Sequence, residues 1–378
     1  MTRDQVDALE RALREAEPPD AGPARERARR TVLAAHDATR TRRRARRAVP
    51  LVCTALAAIL AALFVTQRDS GPAQAVERLV REIVREPKAT PVPVPKSEFA
   101  LPAAGRLLVS GADGLFVVSR NGHRTALGDY EDADWSPRGW FVAATNARTL
   151  TALNPANGHV RWKVQPGGPV SLPRWAPDGL HIAYRAGHTL RIVYGNGEHD
   201  VIAGRDMAAV APAWRPNTPR TVAWAAGDGT VTVEDADTAK VLWTFRSGAV
   251  RHLAWSDDGR TLLIAGRRHG TVRDLVAGTS TPLRLDGDLL AVAAARGRFA
   301  FAVRRGTRTE IRLRGTVLVS AAGRLDDLAW SPDGRWLLAG DATTGEWLLA
   351  RATGRASVSS LSVAPRFGSG ARTRGWCC

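Results

Sequence analysis

The chain has 378 residues, 44% hydrophobic and 24% charged, a composition that excludes a wholly disordered protein and suits one large core or two ordinary domains. Its formal charge of +17 comes from 54 basic and 37 acidic residues, spread along the chain rather than gathered in an arm, so nucleic acid is not an expected partner. Three cysteines exclude a disulfide framework and a zinc set, and the fold must rest on its core.

Residues 1–47 read as a basic, partly helical tail. VDALERAL sets Val6, Leu9 and Leu13 on one helical face, and a second short helix is expected near Thr31 to Ala38. Both stripes are too thin for an independent core, so the tail is either solvated or docks a cytoplasmic protein. Residues 48–67, AVPLVCTALAAILAALFVTQ, carry no charge. At about 1.5 Å per residue, this run crosses a hydrocarbon layer of about 30 Å as one transmembrane helix. A cleaved signal peptide ending at Ala73-Gln74-Ala75 is the competing reading, and the long leader counts against it.

The run RTRRRARR (Arg40 to Arg47) directly before the span holds the N-terminus in the cytoplasm. The expected location is therefore the cell membrane, single-pass, with everything after Gln67 outside the cytoplasm. Residues 68–100 contain AVERLVREIV, whose Val76, Leu79, Val80, Ile83 and Val84 mark an amphipathic juxtamembrane helix. The segment PKATPVPVPK follows as a polyproline spacer.

From residue 101 onward one cadence recurs: an apolar run ends in Trp, breaks at a Ser-Pro-Asp-Gly type corner, and resumes as a second apolar run. DADWSPRGWFVAAT, LPRWAPDGLHIAYR, APAWRPNTPRTVAWA, LAWSDDGRTLLIAG and LAWSPDGRWLLAG are its five copies. Pro presets φ at the first central position of the corner, Asp tolerates the second, and Gly accepts positive φ, so each corner is a hairpin turn. The corner residues Trp135, Trp175, Trp214, Trp255 and Trp330 are separated by 40, 39, 41 and 75 residues. The last interval is two periods, with AVAAARGRFAFAV (Ala291 to Val303) keeping the hairpin but placing a small residue where Trp is expected.

A period of about 40 with four short strands per unit predicts the blades of an all-β propeller. Residues 105–130 supply three strands without a leading one, and RGWCC at the end supplies a strand bearing Trp376. If that strand becomes the innermost strand of the first blade, the ring closes with seven blades over 101–378. A six-bladed ring is the alternative. The WSPDG corners resemble those of TolB-like and WD-repeat propellers, and the whole layout resembles membrane-anchored propeller proteins of actinobacteria ending in Gly-Trp-Cys-Cys. The terminal Gly-His and Trp-Asp pairs of strict WD repeats are missing, and the resemblance implies a fold rather than a chemistry.

Catalytic signals are sparse. TALNPANGHVRWKV and VTVEDADTAKVLWTF resemble quinone-dehydrogenase propeller repeats, yet two copies suit packing roles for Trp162 and Trp243 better than a cofactor site. No G-x-S-x-G elbow is present, the histidines are scattered singly, and His36 lacks the C-x-x-C partner of zinc-binding anti-sigma factors. No enzyme activity, cofactor or metal is expected. Cys377 and Cys378, being adjacent, are expected as two thiols or a labile redox pair.

The candidate site is a basic face on neighbouring loops of two blades: Arg267, Arg268 and His269, then Arg304, Arg305 and Arg308, with Arg324 entering the next blade. Planar guanidinium groups there suit an anionic envelope polymer, a lipid headgroup or an acidic protein patch. The sequence thus predicts a membrane-anchored, extracytoplasmic propeller that binds or scaffolds. Its first alternative is an anti-sigma-like transmembrane regulator holding a cytoplasmic factor on residues 1–47, and its second is a propeller enzyme.

Overall fold

The computed structural model describes residues 99–378 except 219, 314 and 354–356, so the predicted tail, span and most of the spacer lie outside the described residues. Among the described residues no helix is long and apolar enough to cross a membrane. The described residues form seven antiparallel sheets of four strands each. Blade 2 covers residues 132–164, blade 3 170–204, blade 4 213–246, blade 5 252–284, blade 6 288–322 and blade 7 327–362. Blade 1 joins three strands from residues 106–128 to the C-terminal strand Arg372–Cys377, which is its innermost. Leu107 pairs with Trp376 and Leu108 with Gly375 across this closure. The seven-bladed ring, not the six-bladed one, is therefore the observed architecture, and closure leaves no open inner edge.

Each corner is the turn its residues dictate. Gly334 N–H donates to the Ser331 carbonyl at 2.8 Å, and Ser331 Oγ accepts the Trp336 N–H at 2.9 Å. Gly334 has φ +62°, a region L side chains rarely adopt, which explains why Gly ends the motif.

The core lies between blades, as seven apolar clusters, one per blade-to-blade contact. In six of them the inner-strand Trp of one blade packs on the preceding blade: Trp255 on Ala223 and Val231, Trp376 on Ala329, Leu338 and Trp347. The indole N–H extends the contact. Trp135 donates to the Gly375 carbonyl at 3.4 Å, Trp214 to Arg174 at 2.8 Å, Trp255 to Ala213 at 3.0 Å and Trp330 to Ala293 at 3.2 Å. Where the acceptor's blade carries a Trp, the acceptor directly precedes it in sequence. Trp330 therefore identifies Ala294 as the residue in the empty Trp position of blade 6.

Much of the arginine excess is structural. Arg106 donates to the Gly139 carbonyl of the next blade's corner at 2.8 Å while its guanidinium lies 4.9 Å over Trp135. Arg215 repeats this with Gly259 (2.6 Å) and Trp255 (5.2 Å), and Arg298 with Gly334 (2.9 Å) and Trp330 (4.9 Å). Carboxylates on the inner strands add a third kind of latch. Asp132 accepts the Leu172 N–H at 3.1 Å, Asp134 that of Trp175 at 2.8 Å, and Asp327 that of Thr373. Each such bond is worth about 1 kcal/mol net, and each buried Trp about 3–5 kcal/mol against Ala, so the indoles dominate the ring's stability.

Cys377 and Cys378, expected as thiols or a labile pair, are joined by a disulfide, with Cα atoms 3.8 Å apart. The positive φ of Cys378, +41°, turns the chain end so that both sulfurs face the Ser136–Gly139 corner.

Candidate functional site

The antiparallel meander fixes two faces. Loops from inner to second and from third to outer strand share one, here the turn face. Loops from second to third strand and those entering the inner strand share the other, the entry face.

The sequence-predicted arginines lie on the entry face, but most are engaged. Arg267 and Arg268 both hold Asp288, the latter at 2.7 Å, and these hydrogen bonds keep the Asp288 carboxyl low, at about 2. Arg305 is 3.5 Å from both Asp286 and Glu310, which Arg312 also binds at 2.7 and 2.6 Å. Arg304 folds onto the Gly306 carbonyl of its own loop at 3.1 Å, and Arg308 onto the Ser320 carbonyl at 2.8 Å. Arg324 shares Asp326 with Arg372, each at 3.1 Å. A cavity of about 660 Å³ gathers Arg267, Arg268 and His269, and it opens toward Arg246 and Ser247 leading out of blade 4. Arg304, Arg305, Arg308 and Arg324 do not line it.

The turn face carries a larger cavity, of about 750 Å³, that the sequence reading missed. It spans three blades. Blade 2 supplies Phe141 and the start of its outer strand, Val160, Arg161 and Trp162. Blade 3 supplies Leu180, His181 and Tyr194, and blade 4 supplies Arg220 and Asp237. Three apolar side chains stand unusually open here: Leu180 is 60% exposed, Val160 42% and Tyr194 41%.

The walls are fixed. Trp162 Nε1 donates to the Gly195 carbonyl at 2.9 Å, and the ring lies against Gly197, where an added Cβ would come within 2.8 Å of it. His181 is buried between Tyr194, edge-on at 5.1 Å, and Trp214 at 6.0 Å. Its Nε2 meets Asp237 Oδ1 at 3.0 Å, and Arg220 meets Oδ2 of the same carboxylate at 3.0 Å. Among the described residues, the lining includes no Ser, Cys or Thr beside this His–Asp pair. Among the described residues no group of His, Cys, Asp and Glu is arranged to hold a metal ion. The arrangement offers a fixed apolar wall with charged edges, which is recognition chemistry.

A signal for this site does exist in the sequence. The residue after the corner glycine is Arg260 in blade 5 and Arg335 in blade 7, but Trp140 in blade 2 and Leu180 in blade 3, both exposed by 60% or more. Of the two, Leu180 lines the cavity beside other exposed apolar side chains, whereas Trp140 does not line it and packs under Arg138.

Two segments, residues 239–273 and 315–344, match the family model of the WD domain, G-beta repeat. No curated protein matches the chain. The first segment runs from the outer strand of blade 4 through the inner, second and third strands of blade 5. The sequence repeat is thus offset by one strand from the blade, the same offset that lets the C-terminal strand complete blade 1. The described residues form a seven-bladed β-propeller, two segments of which match the WD40 repeat model.

Proposed function

We propose that this propeller is a non-catalytic docking module, held on the outer side of a cell membrane by residues 48–67, and that it receives a segment of a protein partner in the groove over blades 2 to 4. One observation carries the docking reading: Leu180, Tyr194 and Val160, all more than 40% exposed, converge on a single concave wall. Exposed apolar side chains gathered in a cavity are covered when a partner binds. The entry-face arginines support a partner less strongly, since an anion there must displace Asp288 from Arg267 and Arg268.

A photoreactive residue at position 180 of the full-length chain, in the membrane of its native cell, tests the docking site. Adducts are expected from position 180 and not from Val276, which is 68% exposed on blade 5. Equal adducts from both positions contradict the reading. The membrane placement rests on the uncharged run and the arginines before it. A reporter fused after Pro95 is expected to be active only outside the cytoplasm, and cytoplasmic activity contradicts it.

A further inference from the structure

We infer that the occupant of the turn-face groove is a peptide segment that carries a large apolar side chain close to a carboxylate. This names the chemistry of the docking reading above and rests on it.

The apolar half follows from the wall. Phe141, Val160, Trp162, Leu180 and Tyr194 present one continuous apolar surface, and the cavity's extent across three blades suits an extended chain. The carboxylate follows from what the edges have left to give. Among the described residues Asp237 is the one carboxylate lining the groove, and each of its oxygens already has a partner, His181 or Arg220. Glu198, two residues after the lining residue Asn196, accepts from the Asn196 amide at 2.9 Å.

The unspent groups are donors. Arg161 is exposed and has no ion-pair partner among the described residues, its only contact of note being the Phe141 ring at 5.9 Å. Arg220 is 63% exposed along its side chain and uses one nitrogen on Asp237, leaving other N–H groups toward solvent. His159 adds a further exposed ring. A glycan's hydroxyl protons are best met by carboxylates, and the carboxylate of this wall, Asp237, is already engaged by His181 and Arg220. A basic peptide meets Arg161 and Arg220 with like charge. An acidic segment gains from both, while its apolar side chain covers Leu180 and Trp162.

The test is selection of a random-peptide display library on three immobilised full-length chains: wild type, Arg161→Glu and Leu180→Glu. Both positions are exposed, so equal melting temperatures are expected and serve as the folding control. Wild type is expected to enrich peptides with Asp or Glu beside Leu, Ile, Phe or Trp. Arg161→Glu is expected to bind those peptides at least about tenfold more weakly, a loss of about 1.4 kcal/mol, and to enrich Lys- or Arg-bearing counterparts instead. Apolar peptides that require Leu180 but ignore the reversal at 161 overturn the carboxylate and leave the docking site standing. Selections that do not distinguish wild type from Leu180→Glu overturn both.

Discussion

Ala294 stands directly opposite Phe299 in blade 6, where the other six blades set a Trp against a branched aliphatic residue. The other pairs are Trp135 with Val142, Trp175 with Ile182, Trp214 with Val222, Trp255 with Leu262, Trp330 with Leu337 and Trp376 with Leu107. Blade 6 moves the aromatic bulk from the inner strand to the second strand, so that Phe299 fills part of the space the other blades give to Trp, as a close-packed interior requires. Ala294→Trp alone is expected to overpack against Phe299 and to cost about 1–3 kcal/mol, and Phe299→Leu alone to leave a void. The double variant rebuilds the arrangement of the other blades, so denaturant midpoints should show it more stable than the sum of the single changes implies. Strict additivity contradicts the volume exchange.

Ring closure puts a heavy demand on the last strand. Trp376 is buried on blade 7, and Arg374 reaches Ser110 Oγ at 2.8 Å, the Glu131 carbonyl at 2.7 Å and Asp132 at 3.1 Å. Trp376→Ala is expected to cost about 3–5 kcal/mol, and removal of residues 374–378 at least as much. Chemical denaturation checks both; a truncated chain with an unchanged midpoint contradicts closure through this strand.

The ring was legible because its corner chemistry is local: Trp, Pro, Asp and Gly at fixed offsets reveal the turn wherever it recurs. Even the substitution at Ala294 showed as a doubled interval. The groove was legible only in the apolar Leu180 at a turn position, because Trp162, Leu180 and Tyr194 belong to neighbouring blades and meet only when the ring is built. Trp162 looked like core, and it does help pack the blade 2 and 3 contact while also lining the cavity. The arginines misled for the opposite reason. Arg106, Arg215 and Arg298 resemble surface charge in sequence, yet each finds a carbonyl one blade away. Arg267 and Arg268 resemble a free basic loop until Asp288, some twenty residues on, is seen between them.

Glu234 gives the fold a pH dependence of definite sign. It is 3% exposed, and burial pushes its carboxyl up from 4.5 to about 7. The folded state therefore keeps a proton that the unfolded chain releases above 4.5, so this group's contribution to stability falls as pH rises from about 4.5 to 7 and is constant beyond. Asp134 and Asp327, pushed up to about 6 by burial, act in the same direction, and His252, pushed down to about 4 by burial, acts against them. Comparing Glu234→Gln with wild type isolates the one group. The variant is expected to be more stable at pH 8, by on the order of 2 kcal/mol, and nearly equal at pH 4. A variant less stable at pH 8 contradicts a carboxyl pushed up by burial.

The central claim is that partners dock on the turn face rather than on the basic entry face. Its most direct test is the affinity of one selected acidic-apolar peptide, read by fluorescence polarisation against four full-length chains. These are wild type, Leu180→Glu, Arg161→Glu and the combined Arg267→Ser, Arg268→Ser, Arg304→Ser, Arg305→Ser variant. The two groove variants are predicted to weaken binding by more than about tenfold, and the combined variant by less than about twofold. Binding that survives both groove changes and is lost with the four arginines contradicts the claim.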